Sequence, residues 1–195
     1  SERLLYPNPA SALVMPEQHL AFFEFLGRVC GKAVLEHILI PVPLAPFFLA
    51  KLLGRFNLIN DLPSLDAELH RQLVRLKRMR GVHELGLTFA LSSHELGEVH
   101  TVELLPGGAE LAVTDENKLR YVALVAHYKL NVQMRAQCAA FQRGFEQLVP
   151  RAAVRMFSER ELQRLLAGNP GKIDLADMRR HTLYRQPYHE QHAAV

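Results

Sequence analysis

A chain of 195 residues, 49% hydrophobic and 22% charged, has the profile of an ordinary globular protein with room for one domain, or for two small lobes sharing a core. A formal charge of +3 is too small to impose nucleic-acid binding by itself. The two cysteines, Cys30 and Cys138, form no CxxC pair and argue against a disulfide framework, while no apolar run nears membrane-span length and no signal-peptide layout opens the chain.

Residues 1–18 carry Pro7, Pro9 and Pro16 and are expected to form an irregular lead-in. A helix follows over 19–37, with Phe22, Phe23, Phe25, Leu26, Val29, Cys30, Ala33 and Val34 leaving only Glu24, Arg28 and Lys32 for solvent. Gly27 and Gly31 weaken that helix by about 1 kcal/mol each relative to Ala, so another backbone must approach closely there. The run Ile38-Leu39-Ile40-Pro41-Val42-Pro43 predicts an extended connector, because residues before proline avoid helical angles. Pro46 then opens a short helix that stops at Gly54.

In 62–89, Leu62, Leu65, Leu69, Leu73 and Leu76 recur at spacings of three and four residues, one side of an amphipathic helix. Ser64 is the expected N-cap, Asp66 and Glu68 suit the first turn, Arg75, Lys77, Arg78 and Arg80 suit the last, and Gly81 ends it. Residues 85–91 read as a strand, and 99–105, the turn Pro106-Gly107-Gly108 and 109–113 read as a hairpin. Thr114 is expected to cap a long helical region over 117–148 that bends near Asn131. A short helix over 150–156, a capping box Ser158-Glu159-Arg160-Glu161 opening a helix that ends at Gly168, and a short helix with an extended tail over 173–184 complete the chain. The class is α+β, helix-dominated, with one small antiparallel sheet.

Several motifs invite chemistry and fail on spacing. Gly27-Arg28-Val29-Cys30-Gly31-Lys32-Ala33 resembles a phosphate-binding loop, but its glycines are one residue too close, Ala33 stands where Ser or Thr is needed, and it sits inside a helix. His94-Glu95-Leu96-Gly97-Glu98 and His189-Glu190-Gln191-His192 both miss the HExxH spacing, so no metal or other cofactor is expected. Cys30 and Cys138 read as small core residues. Arg71, Arg75 and Arg78 lie opposite the leucines without interleaved aromatics, a solvated face rather than a nucleic-acid groove. Periodicity leaves the leucine side itself with two readings, core or docking surface, though the segment from Asp61 to Tyr121 is small for an independent core.

A series of stretches resembles the N-terminal lobe of HECT-type ubiquitin ligases. It comprises Leu26-Gly27-Arg28-Val29-Cys30-Gly31-Lys32-Ala33, Pro46-Phe47-Phe48, Leu85-Gly86-Leu87-Thr88-Phe89 and Glu103-Leu104-Leu105-Pro106-Gly107-Gly108. It continues through Val113-Thr114-Asp115-Glu116-Asn117-Lys118, Phe141-Gln142-Arg143-Gly144-Phe145, Met156-Phe157-Ser158-Glu159-Arg160-Glu161-Leu162 and His181-Thr182-Leu183-Tyr184. The lead Leu5-Tyr6-Pro7-Asn8-Pro9-Ala10-Ser11 and the run Pro63-Ser64-Leu65-Asp66 look closest to the branch whose full-length members carry an IQ motif near the N-terminus.

The resemblance implies a two-subdomain N-lobe, with 1–60 and 132–195 in the large subdomain, incomplete at its start, and 61–131 in the small one. It implies that a ubiquitin-conjugating enzyme, charged with ubiquitin as a thioester, docks on the small subdomain. Ubiquitin then passes to a cysteine of a separate C-terminal lobe and on to a substrate lysine, two acyl transfers by nucleophilic catalysis. By position, the docking residues are Leu69, Leu73, Leu76, Met79, Leu85, Leu87, Tyr121 and Val125, with Leu96 near where some members hold a second ubiquitin.

The chain departs from the family by stopping soon after Tyr184, before any catalytic cysteine, and by carrying Gln186-Pro187 where a glycine pair is expected. The chain is therefore expected to be an inactive fragment of an intracellular ligase, cytoplasmic or nuclear, with ubiquitin, the conjugating enzyme and an unnamed protein substrate as partners and no membrane. A non-catalytic scaffold that binds the conjugating enzyme, and a basic helical nucleic-acid binder, are the alternatives.

Overall fold

The computed structural model describes residues 4–95, 98–169, 174–183 and 185. In chain order its α-helices are α1 (Ser11–Val14), α2 (His19–Leu35), α3 (Pro46–Leu52), α4 (Ala67–Arg78), α5 (Lys118–His127), α6 (Arg135–Glu146), α7 (Arg151–Val154), α8 (Glu159–Ala167) and α9 (Leu175–Arg180). One antiparallel hairpin, β1 (Ala90–Glu95) with β2 (Glu98–Glu103), lies between α4 and α5. The helix-dominated α+β class holds.

The main helix pair forms where the sequence has least side chain. On α2, Gly27 faces the Phe141 carbonyl and the Phe145 N–H of α6, and Gly31 faces the Phe145 carbonyl. On α6, Gly144 returns the contact against the Glu24 carbonyl and the Arg28 N–H. The backbone approach that the glycines demanded is thus supplied by α6. Arg28 and Lys32 of α2 are exposed as expected, but the rest of its solvent side differs from the expectation. Glu24 faces α6, accepting hydrogen bonds from Arg143 (3.3 Å) and Gln147 (3.2 Å), while Phe22, Phe25, Leu26 and Val29 are exposed. Because the close contact must use the glycine side, helical geometry turns the large residues away from it.

The connector after α2 is extended, as its prolines require, and its polar backbone is paired on both sides. Leu5 N–H donates to the Pro43 carbonyl (2.7 Å) and Ala45 N–H to the Leu5 carbonyl (2.9 Å), so the lead-in is tied down at Leu5 rather than irregular throughout. From the other side, the Gln163 amide of α8 accepts from Leu44 N–H (3.1 Å) and donates to the Val42 carbonyl (2.8 Å). The Ser158–Glu161 capping box opens α8, with Ser158 N–H donating to the Glu161 carboxylate at 2.7 Å, and Gly168 (φ 79°) closes it.

The long helical region bends at the expected place. A π-helical turn, Tyr128–Val132, separates α5 from α6, and Asn131 within it accepts from Lys51 (3.0 Å) and donates to the Asn57 carbonyl (3.0 Å). The hairpin is shifted from its predicted place. The polar stretch from Ala90 pairs with β2, whereas the predicted turn at Pro106–Gly108 is folded back by the Glu103 carboxylate, which accepts from Gly107 and Ala109 N–H at 3.1 Å each. The run 85–91 is no continuous strand, because Gly86 takes a left-handed conformation (φ 62°) in its midst.

One buried apolar cluster draws on residues 44–166, from Phe47, Phe48 and Leu49 past Met134, Phe141 and Phe145 to Leu73, Leu76, Val82, Phe89, Tyr121 and Val125. The segment carrying the leucines does not close a core of its own; it shares this one.

Candidate functional site

Helix α4 is capped by Asp66 rather than Ser64: the Asp66 carboxylate accepts from Leu69 N–H at 2.9 Å. Ser64 serves a different helix, accepting from Phe47 N–H in the first turn of α3 (3.2 Å) and donating to the Asp61 carbonyl (2.7 Å). The basic residues Arg71, Arg75, Lys77 and Arg78 lie on the exposed side of α4, with Arg71 paired to Glu68. The leucine side of α4 faces α5 and the core.

Four of the eight residues expected to dock a partner are buried in this packing. Leu73 is 4% exposed, Val125 1%, and Leu76 and Tyr121 are also buried, Tyr121 with its ring edge-on to Phe89 at 5.5 Å. Burial also raises the Tyr121 phenol above its ordinary pKa. These four side chains form a floor beneath the surface of the segment. The physical reason is the shared core, since a segment this small has few other apolar side chains with which to join it. Leu69, Met79 and Leu87 are half-buried against that floor, and Leu85 stands out at 46% exposed.

Leu85 ends a single 3-10 turn, Val82–Leu85, bracketed by Gly81 (φ 72°) and Gly86 (φ 62°), and the loop carrying it is pinned along its length by residues 111–118. Asp115 accepts from Gly81 N–H (2.8 Å) and Val82 N–H (3.3 Å), the unsatisfied donors at the start of the turn. Lys118 donates to Asp115 (3.1 Å) and to the Met79 carbonyl. Past the turn, Val113 N–H donates to the Leu87 carbonyl (2.8 Å), Thr88 bridges Ala112, and Phe89 N–H donates to the Leu111 carbonyl (3.1 Å). Asn117 steadies the pinning segment by donating to the Ala112 carbonyl (3.0 Å) and accepting from Thr114 N–H (2.8 Å). Thr114 is therefore not the side-chain cap of α5, which begins at Lys118.

Sequence reading missed the role of Asp115 and Lys118. Their partners lie 33 to 39 residues away, beyond any local periodicity. Leu111, exposed and tied to Phe89, was also missed.

The Gly81 N–H first, then the Lys118 ammonium and the Val82 N–H, hold the Asp115 carboxyl at about 2, below its ordinary 3.8. A depressed folded-state value means that this contribution to stability is complete above 3.8 and is lost as pH falls toward about 2. Urea midpoints should therefore drop across that window in the native chain and drop less in Asp115→Asn.

Both cysteines are poor nucleophiles. Burial pushes the thiols of half-buried Cys30 and buried Cys138 up to about 11 each, so little thiolate exists at neutral pH. The loop-like Gly27–Ala33 stretch lies wholly inside α2. Among the described residues no group of three or more His, Cys, Asp or Glu side chains could hold a metal ion, and no described helix is long and apolar enough to cross a membrane. Leu96, Tyr184, Gln186-Pro187 and the histidine pair His189 and His192 lie outside the described residues.

Comparison with known proteins bears on the whole chain. The sequence profile of the family described as HECT-domain (ubiquitin-transferase) matches residues 1–195. The chain is 45% identical over 196 residues to E3 ubiquitin-protein ligase UPL6 of Arabidopsis thaliana, covering 100% of this chain and 19% of that protein. It is 41% identical over 197 residues to Ubiquitin-protein ligase E3B of Mus musculus, covering 98% and 18% respectively. With E3 ubiquitin-protein ligase pub1 of Schizosaccharomyces pombe it shares 37% identity over 178 residues, 91% of this chain and 23% of the other. The chain thus spans about a fifth of the length of these relatives. It belongs to the HECT-domain family of ubiquitin transferases.

Proposed function

We propose that residues 61–131 act as the small subdomain of a HECT-type N-lobe and dock a ubiquitin-charged conjugating enzyme through Leu85, flanked by the half-buried Leu69, Met79 and Leu87. The observation that carries this is an exposed leucine at the tip of a loop whose backbone is tied down on both sides. A large apolar side chain held in water on a preorganised turn suits a partner's pocket, because little ordering remains to be done on binding. Leu73, Leu76, Tyr121 and Val125 support the loop from beneath.

Ubiquitin then moves from the conjugating enzyme to a cysteine, and from that cysteine to a substrate lysine. Cys30 and Cys138 are too buried and too weakly acidic for either step, which supports a nucleophile outside this chain. The chain taken alone is then a recruiting module without transfer activity. Two free cysteines support a reducing intracellular setting. Placement in the branch with an N-terminal IQ motif rests on the lead segment from Leu5 to Ser11 and the run from Pro63 to Asp66, and the reading frame upstream of residue 1 checks it.

Titration with a panel of conjugating enzymes carrying ubiquitin tests the docking. At least one should bind, and Leu85→Asp should weaken it at least about ten-fold, the loss expected of a central apolar anchor. Equal binding by Leu85→Asp contradicts the proposal.

A further inference from the structure

We infer that Asp115 is a positioning residue for docking: by holding the two N–H groups at the start of the Val82–Leu85 turn, it fixes the direction in which Leu85 is offered to the conjugating enzyme. This rests on the docking function proposed above and adds to it a residue that acts through the turn instead of through a contact of its own.

The turn cannot orient itself. It is a single turn with a left-handed glycine at each end, and glycine leaves the backbone free to choose among many conformations. Its far side is held by a bridge and two backbone hydrogen bonds, and Val82 is buried. Its near side depends on one carboxylate, whose two oxygens take Gly81 N–H and Val82 N–H separately. Lys118 joins that carboxylate to the Met79 carbonyl, so the end of α4, the start of the turn and the start of α5 meet at one charged cluster. Charge-assisted bonds of this kind are stronger than the neutral bonds that hold the far side. Removing Asp115 leaves the far anchors and the buried Val82, so the fold persists while the turn gains freedom. A partner must then order the turn as it binds, and affinity falls for that reason.

The test is a double-mutant cycle on the 195-residue chain, with binding of the ubiquitin-charged conjugating enzyme and amide exchange at Gly81 and Val82 as readouts. Asp115→Ala should speed exchange at both amides and weaken binding about ten-fold, and Asp115→Asn, which keeps one acceptor oxygen but loses the charge and the second acceptor, should recover only part of that affinity. Leu85→Ala should weaken binding about ten-fold in the native background but less than about two-fold beside Asp115→Ala, because a leucine no longer aimed contributes little. If Asp115→Ala does not fold, Asp115→Ser in the same cycle replaces it. Unchanged affinity in the Asp115 variants, or strictly additive losses, overturns the inference: a residue that only stabilises the fold leaves the Leu85 increment untouched. A native chain that binds no charged conjugating enzyme fails the docking function itself, an outcome visible before any variant is made.

Discussion

Gly144→Ala should lower folding stability by about 3 kcal/mol or more, although the same change in an isolated helix stabilises by about 1 kcal/mol. The opposite sign follows from what surrounds the position. A Cβ at Gly144 would fall well inside the contact distance of the Glu24 carbonyl oxygen and 3.0 Å from the Arg28 backbone nitrogen. Those are backbone atoms of α2, held by its own hydrogen bonds, so no side chain can swing aside and the two helices must separate. Gly27→Ala should behave alike, since its added Cβ meets the Phe141 carbonyl and the Phe145 nitrogen (2.9 Å). Gly31→Ala should be milder, because its nearest neighbours lie at 3.1 and 3.2 Å and one is the Leu148 side chain. Urea midpoints for the three variants check the ranking; a more stable Gly144→Ala would show that α2 and α6 do not cross at that point.

The second large effect separates fold from docking. Leu73→Asp should abolish cooperative folding or destabilise by about 4 kcal/mol or more, because a core leucine is lost and a carboxylate is left without a partner. Leu85→Asp should change stability by no more than about 0.5 kcal/mol, as befits an exposed position, while removing most of the docking affinity. Thermal melts and binding isotherms on the same preparations show both. Only Leu85 can report on contact: a Leu73 variant that fails to bind has lost the structure beneath the surface. A native-like melt for Leu73→Asp would mean that this leucine is not in the core.

What the sequence made legible was what local chemistry decides. Gly27 and Gly31 in an otherwise strong helix demanded a close backbone, and α6 is there. Ser158 and Glu161 are a complete N-terminal signal within four residues, and α8 starts where they place it. Pro46 and Gly54 bracket α3 for the same kind of reason. The misses come from long-range choices. Ser64, Asp66 and Thr114 all have capping chemistry, and only the tertiary structure decides that Asp66 caps α4 while Ser64 serves α3. The hairpin moved because the Glu103 carboxylate draws residues 107–109 into a turn, leaving the polar Ala90–Glu95 to pair. Leucine spacing gave the buried side of α4 correctly, but periodicity cannot say whether that side meets its own chain or another. The answer is that its own core takes Leu73 and Leu76, while Leu85, on a turn with no periodicity at all, is the exposed one of the eight residues expected to dock.

The most direct measurement is an amide-resolved binding map of the 195-residue chain with a ubiquitin-charged conjugating enzyme at saturation. The expected result is perturbation centred on residues 79–89, extending to Leu69 and to the pinning segment at 111–118, with the α2–α6 crossing unaffected. Perturbation confined to the α2–α6 side, with the turn around Leu85 silent, would contradict it.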